Sequence, residues 1–200
     1  DALVLDAATL KHLEILEPLH REAAKPGTLY AALNRTSTPM GARRLRDWLS
    51  QPLSSVEAIR RRQTALGQFL HNSLALDRFR ESLKEIRDLE RTISRLSIGS
   101  GNARDLVQLS GALGQLPALR GMIAKVQSAV DPIAPTLSEE IFDDAEPDGP
   151  PPLLSELGGQ LHELPEVTNL ISRAIADDPP MALKDGGIIR EGFDPALDEL

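Results

Sequence analysis

Thr38–Leu53 reads TPMGARRLRDWLSQPL, and this stretch decides the class of fold. Pro39 presets φ for the first turn of a helix. Leu45 and Leu49 recur at i and i+4, with Trp48, the chain's single tryptophan, on the same apolar stripe. Gln51 precedes Pro52, which disfavours αR at that position and ends the helix where the stripe ends. The expectation is a hub helix of an all-α domain with Trp48 as a core anchor, so that Trp48→Ala costs about 3–5 kcal/mol.

The composition agrees with helices. Hydrophobic residues make up 41% of 200, but aromatic residues only 3%, so the core is built from Leu, Ile, Val and Ala, as helical bundles are. This length is that of one ordinary domain. A formal net charge of −8 argues against a free-standing nucleic-acid binder, which needs a basic face for phosphate. With no cysteine, neither a disulfide framework nor a thiolate metal site can form, and a reducing compartment is permitted. No apolar run reaches membrane-spanning length, and the N-terminus has no signal-peptide pattern. The chain starts at Asp1 without Met and stops at DPALDEL, which suggests a piece of a longer protein.

From the N-terminus, Asp6 is placed to cap a short helix through Leu10, and His12–Leu16 alternates as a short strand would. Lys25, Pro26 and Gly27 form a loop, and Leu29–Leu33 is a brief helical turn before the hub helix. Ser54 and Glu57 form an S-x-x-E capping box for a helix with the stripe Val56, Ile59, Leu66 and Leu70, Arg60–Arg62 mostly facing out. Leu76, Phe79, Leu83, Ile86, Leu89, Ile93 and Leu96 alternate by three and four, as one long amphipathic helix does. On its surface Glu81 with Glu85 and Lys84 with Asp88 line up at i and i+4. Asn102 caps the next helix, with Asp105 at its positive end and Leu106, Leu109, Leu113 and Leu116 facing one way. Pro117 then starts a helix carrying Leu119, Ile123 and Val126. Residues 131–152 turn to Pro, Asp, Glu and Ser and read as a flexible insertion. Helix resumes with Leu154, Leu157, Leu161 and Leu164, and again from Pro165 with Val167, Leu170 and Ile175. A short strand at Ile188–Arg190 and a helix from Pro195 complete a mainly all-α multi-helix bundle with one or two short β-strands near the termini. There is no repeat of fixed period.

Four features invite a sharper chemistry. Glu17 and His20 give one E-x-x-H unit of the kind di-iron bundles use twice. The second unit is missing and Pro18 lies inside the first, so a surface histidine is the plainer reading. Asp144, Glu146, Asp148 and Gly149 imitate the front of an EF-hand loop. Ser155 stands where the bidentate Glu belongs, which leaves an acidic linker. Gly99 and Gly101 precede a helix N-terminus that could hold an anion, but no P-loop lysine is present there and a helix-to-helix turn suffices. Arg43, Arg44 and Arg46, with Arg60–Arg62, could meet phosphate. Asp47 and Glu57 beside them favour a solvated or interdomain face. No Ser, His and Asp grouping has a nucleophile context, so catalytic, cofactor-binding and metal residues are all expected to be none.

The hub stretch also resembles the front of the core, or lever, domain of the MutS family of DNA mismatch-repair proteins, whose pattern is roughly T-x-x-G-x-R-x-L-x-x-W-x-x-x-P-L. It falls here on Thr38, Gly41, Arg43, Leu45, Trp48, Pro52 and Leu53. LDAATLKHLEIL, LKEIRDLERTISRL, GNARDL and DGGIIREGFDPALDEL match four further blocks of the family in the right order, leaving 131–152 as an unmatched insertion. His12, Ala103 and Phe193 stand where the family commonly has Asn, Pro and Tyr. The signature residues so identified are Thr38, Pro39, Gly41, Arg43, Leu45, Trp48, Pro52, Asp88, Glu90, Arg91, Asp185, Gly186, Gly192 and Asp198. The resemblance implies a single-domain fragment, residues 1–200, that is the first part of a core domain ending at the foot of an ascending lever, with a structural and coupling role. It implies neither catalysis nor mismatch readout here, in a full-length cytoplasmic ATPase that uses ATP and Mg²⁺. It implies as partners other domains of the same chain, and in full length mismatched duplex DNA, a MutL-type protein and a second copy, with no membrane. On this reading Arg43 is a packing or interdomain hydrogen-bonding group rather than a phosphate contact. The competing class is a self-contained helical protein-interaction scaffold, with a di-iron enzyme third.

Overall fold

A computed structural model describes residues 2–20, 27–128, 152–181, 184 and 186–199. Among these residues the chain forms helices α1 (Ala7–His12), α2 (Leu29–Leu33), α3 (Pro39–Ser50), α4 (Val56–His71), α5 (Ser73–Lys84), α6 (Leu89–Ser97), α7 (Ala103–Gly114), α8 (Leu116–Ser128), α9 (Leu153–Gln160), α10 (Pro165–Ala174) and α11 (Pro195–Asp198). The mainly all-α expectation is met. Extended pairing among the described residues is confined to two isolated antiparallel bridges, Ala2 with Leu53 and Ile175 with Ile189.

Many helix starts are set by local chemistry. Asp6, Thr28, Thr38, Asn72, Asp88 and Asn102 each accept a backbone N–H of the first turn, satisfying a donor that has no partner within the helix. Pro39, Pro165 and Pro195 sit in the first turns of α3, α10 and α11, where a missing N–H costs nothing. At α7 the capping box is complete: Asn102 Oδ1 accepts from the Asp105 amide, and Asp105 Oδ2 accepts from the Asn102 amide.

Among the described residues the core consists of three apolar clusters. Ala65, Ile123, Val126 and Leu154 form the first, Ile86, Ala112 and Leu119 the second, and Ala103, Ile171 and Ile175 the third. Phe79 and Leu161 pack against both of the first two and join them. Phe69 and Phe79 meet with ring centroids 5.2 Å apart and planes tilted by 43°, an arrangement that aromatic quadrupoles favour. The third cluster lies between α7 and α10 and takes in Ile188 and Ile189 beside the second bridge.

Several expectations are corrected. His12 closes α1, and residues 13–17 form turns and bends rather than a strand. Glu14 has φ of 49°, in the left-handed region that breaks a strand, while Ile15 is buried and the Glu14 and Ile15 carbonyls accept the amides of Leu29 and Tyr30. The cap of α4 is Ser55, accepting from Ala58, so the Ser54 and Glu57 capping box does not form. The α4 stripe is also turned: Val56, Ile59, Leu66 and Leu70 are exposed, and Ala65 with Phe69 faces the core. Arg60, Arg61 and Arg62 are half-buried rather than mostly facing out, and Arg61 pairs with Glu156. On α10 Val167 and Leu170 are exposed and Ile171 is buried.

The long helix from Leu76 to Leu96 is instead two, α5 and α6, separated at residues 85–88. Ile86 in the break is buried against Ala112 and Leu119, and Asp88 begins a new helix by capping it. Lys84 pairs with Glu81 rather than Asp88, and two carboxylates at Glu81 and Glu85 offer no attraction. Trp48 is 42% exposed and α3 has no buried residue, so the hub stretch is a flanking helix and Trp48 is not a core anchor. Of the insertion expected at 131–152, and of its EF-hand-like residues, all but Pro152 and Ser155 lie outside the described residues, as do Lys25, Pro26 and Asp185.

Candidate functional site

Helix α3 projects Arg43 toward the start of α6. Its Nη1 and Nη2 donate to Asp88 Oδ2 and Oδ1, each at 2.7 Å, and its Nε donates to Glu90 Oε2 at 3.1 Å. This fork joins two signature segments whose sequence separation hides the pairing: a planar guanidinium engages one carboxylate with two parallel bonds and takes a second from the side. Asp88 does two jobs, because its Oδ1 also accepts the Arg91 amide as the cap of α6. The bonds from Arg43 hold the Asp88 carboxyl down at about 2, against the partial burial that opposes ionisation. In return, the hydrogen bonds that Arg43 donates to Asp88 and then to Glu90 raise its guanidinium above its ordinary value.

A second bridge joins α6 to α7. Arg95 pairs with Asp105, whose side chain is 5% exposed and whose other oxygen completes the α7 capping box. The Gly99 and Gly101 turn that delivers the chain to this point is structural. Gly99 has φ of 72°, and a Cβ on Gly101 would lie 2.6 Å from Leu96 Cδ2. Two amides of this helix start, those of Asn102 and Asp105, are engaged by the reciprocal cap.

The third and fourth bridges tie α7 and the exit segment to the DDPP turn. Arg104 Nε donates to the Pro179 carbonyl at 2.7 Å, with Asp178 at 3.4 Å from its Nη2. Arg190 Nη2 donates to Asp177 Oδ1 at 2.6 Å and to the Ile175 carbonyl at 3.3 Å. Beyond it Gly192, at φ of 82°, donates its amide to Asp198 Oδ2 at 2.9 Å, so those two signature residues form one turn around the start of α11. Gly186 takes φ of 69°.

Thr38, Pro39 and Gly41 act together at the start of α3: the Thr38 hydroxyl accepts the Gly41 amide at 3.0 Å, and a Cβ on Gly41 would approach that oxygen to 3.1 Å. Leu45 is half-buried, and the Pro52 carbonyl accepts the Leu3 amide at 2.7 Å. Trp48 lies under the Arg62 guanidinium at 3.8 Å from the ring centroid, a cation–π contact at the surface. Burial, and then the charge of Arg44, hold the pKa of the Arg62 guanidinium below its ordinary value. Glu17 and His20 are exposed in non-helical backbone, and no group of three or more His, Asp or Glu side chains is placed to hold a metal ion among the described residues. No helix among them is long and apolar enough to cross a membrane.

Arg43, Asp88 and Glu90 stand out in the sequence as signature residues, but nothing in their spacing shows that they meet. The bridging roles of Arg95, Asp105, Arg104 and Arg190 went unseen in the sequence. The available signal was positional: each of these arginines lies in one matched block, and its acidic partner lies in the next block or in the DDPP turn.

The fold and these bridges define an all-α domain whose helices are tied to one another and to the DDPP turn by arginine. The chain matches the family model for MutS domain III over residues 8–198, and it belongs to that family. It is 39% identical to the DNA mismatch repair protein MutS of Symbiobacterium thermophilum over the whole chain, and 39% identical to that of Myxococcus xanthus over 99% of it. The MutS of Methanothrix thermoacetophila is 37% identical over 99%. In each case the match covers 20% of the relative, so the chain spans about a fifth of the length of these curated relatives.

Proposed function

We propose that this domain is the mechanical core of a mismatch-repair ATPase, passing domain rotation between a nucleotide site and a DNA clamp through a lever that starts at α11. The observation that carries the reading is the set of bridges. Arg43 and Arg95 each link one signature segment to another, and Arg104 and Arg190 tie two of these segments to the DDPP turn, so a force applied at one helix is transmitted to the next through paired charges as well as through the apolar clusters. Asp88 is the junction where capping, the helix break and the Arg43 fork coincide. A packed unit of this kind moves as a block or rearranges discretely, as coupling requires.

On this proposal ATP, Mg²⁺, mismatched duplex and a MutL-type partner engage other parts of the full-length protein. The signature residues serve structure and coupling here. Introducing Arg43→Met into a full-length MutS polypeptide carrying this domain is expected to leave DNA-free ATP hydrolysis in place while weakening the ATP-dependent release of mismatched duplex. Unchanged release in a folded Arg43→Met protein would overturn the coupling role. ATP hydrolysis by the 200-residue chain alone, or its preference for mismatched over matched duplex in a titration, would overturn the division of labour.

A further inference from the structure

The outer face of α4 carries apolar side chains that stay exposed and enter none of the clusters formed by the described residues. Val56, Ile59, Leu66 and Leu70 are 61%, 36%, 60% and 64% exposed, while Ala65 and Phe69 on the opposite side pack into the first cluster. With Gln63 as a polar member, positions 56, 59, 63, 66 and 70 alternate by three and four. At 100° per residue they fall within about 80° of one another, the narrow seam of a helix pair rather than the broad face of a core helix. Beside the seam lies Arg62, stacked on the half-exposed Trp48 and close enough to Arg44 for their like charges to repel. Neither Arg62 nor Arg44 meets a carboxylate among the described residues, although the chain as a whole carries net charge −8.

We propose that this face of α4 docks an amphipathic helix whose apolar seam lies along Val56, Ile59, Leu66 and Leu70 and whose carboxylates meet Arg62 and Arg44. The helix is supplied by a part of the polypeptide outside these 200 residues. The three-four spacing selects a helix, because a strand would match only alternate residues. Two guanidiniums that meet no carboxylate among the described residues select acidic flanks. A second copy laid seam to seam would bring the two arginine clusters toward each other across the dyad. Phosphate would satisfy the arginines and leave four exposed aliphatic side chains idle. Only the source of the helix rests on the proposed function: in relatives of which this domain is 20%, most of the chain lies elsewhere.

Since the chain has no cysteine, Leu66→Cys gives one thiol for an environment-sensitive fluorophore on the seam. The probes are a synthetic amphipathic helix with a leucine seam and Glu flanks, and its twin with Lys flanks. The Glu peptide is expected to bind saturably with a blue shift and to weaken as salt rises, the Lys twin binding at least tenfold less tightly. Arg62→Glu is expected to reverse that preference, and Leu70→Glu to abolish binding with the far-UV circular dichroism unchanged. In a full-length MutS polypeptide carrying this domain, the residue 66 thiol is expected to be shielded from modification. Absence of saturable binding by either peptide, equal binding of both, or displacement of the Glu peptide by a DNA duplex overturns the proposal. Self-association that shields the label without peptide assigns the face to a second copy instead, and a freely reactive thiol in full length overturns the source.

Discussion

Asp105→Ala removes two interactions at the start of α7 with one substitution. The Asn102 amide loses its acceptor, and the Arg95 guanidinium, whose Nε already has no partner and is buried, loses its counter-ion. Loss of an N-terminal cap contact costs about 1 kcal/mol. The ion pair lies between the surface and buried limits, because the Asp105 side chain is 5% exposed and that of Arg95 is 40% exposed. Breaking it costs about 1–3 kcal/mol, between the near-zero worth of exposed pairs and the several kcal/mol of fully buried ones. The sum is about 2–4 kcal/mol, a large share of the stability of an ordinary domain. Asp105→Asn keeps the shape and an acceptor for the Asn102 amide but drops the charge, and is expected to cost about half as much. Urea unfolding of the 200-residue chain, followed by circular dichroism, measures each value. A double-mutant cycle with Arg95→Met should return a coupling of about 1–2 kcal/mol. An Asp105→Ala protein within about 0.5 kcal/mol of the parent, or a cycle that is simply additive, would refute the claim that this bridge holds α6 to α7.

The Asp88 carboxyl should titrate at about 2 by NMR in the parent chain and return toward the ordinary carboxylate value in Arg43→Met. Because its folded value is depressed, the stability it contributes is present above about pH 4 and is lost as pH falls toward 2; Arg43→Met should flatten the pH dependence of stability in that window. Trp48→Ala should cost about 1–2 kcal/mol, from partial burial and a surface cation–π contact, and a measured loss above about 3 would restore it to the core. Gly101→Ala should destabilise by about 1–3 kcal/mol, since its Cβ would meet both the Leu96 side chain and, at 3.1 Å, the Leu96 Cα. Gly111→Ala, in α7 with nothing within 4 Å of the new Cβ, should stabilise by up to about 1 kcal/mol, and the same unfolding experiment distinguishes the two glycines.

Much of this was legible in the amino-acid order, and the reason is locality. A cap, a proline in a first turn and a glycine at positive φ are decided by groups within a few residues, so Asp6, Pro39, Asn102 with Asp105, Pro165 and Pro195 announced helix starts that the structure contains. The family blocks were equally visible, being contiguous strings. The side of a helix that faces inward was less so. In α4 the aliphatic stripe looks like a core face by spacing, yet smaller Ala65 and ring-bearing Phe69 pack against α8 and α9 while the stripe stays in solvent. In α8 the expected Leu119, Ile123 and Val126 are all buried, whereas in α7 the Leu106, Leu109 and Leu113 stripe is only half-buried and the smaller Ala103 and Ala112 lie inside.

Helix type, most helix starts and family membership are properties of short windows and follow from residue order alone. The break at residues 85–88 in the period running through Leu76–Leu96 comes from long-range packing, because burial of Ile86 and the fork from Arg43, 45 residues from Asp88, outweigh local continuity there. Tertiary packing also decides that the hub stretch flanks the core, with Arg43 turned to a neighbouring helix and Trp48 to the surface. A periodic pattern states which residues share a side of a helix; which partner covers that side depends on the rest of the chain, and a long-range ion pair leaves no mark on the local spacing of either partner.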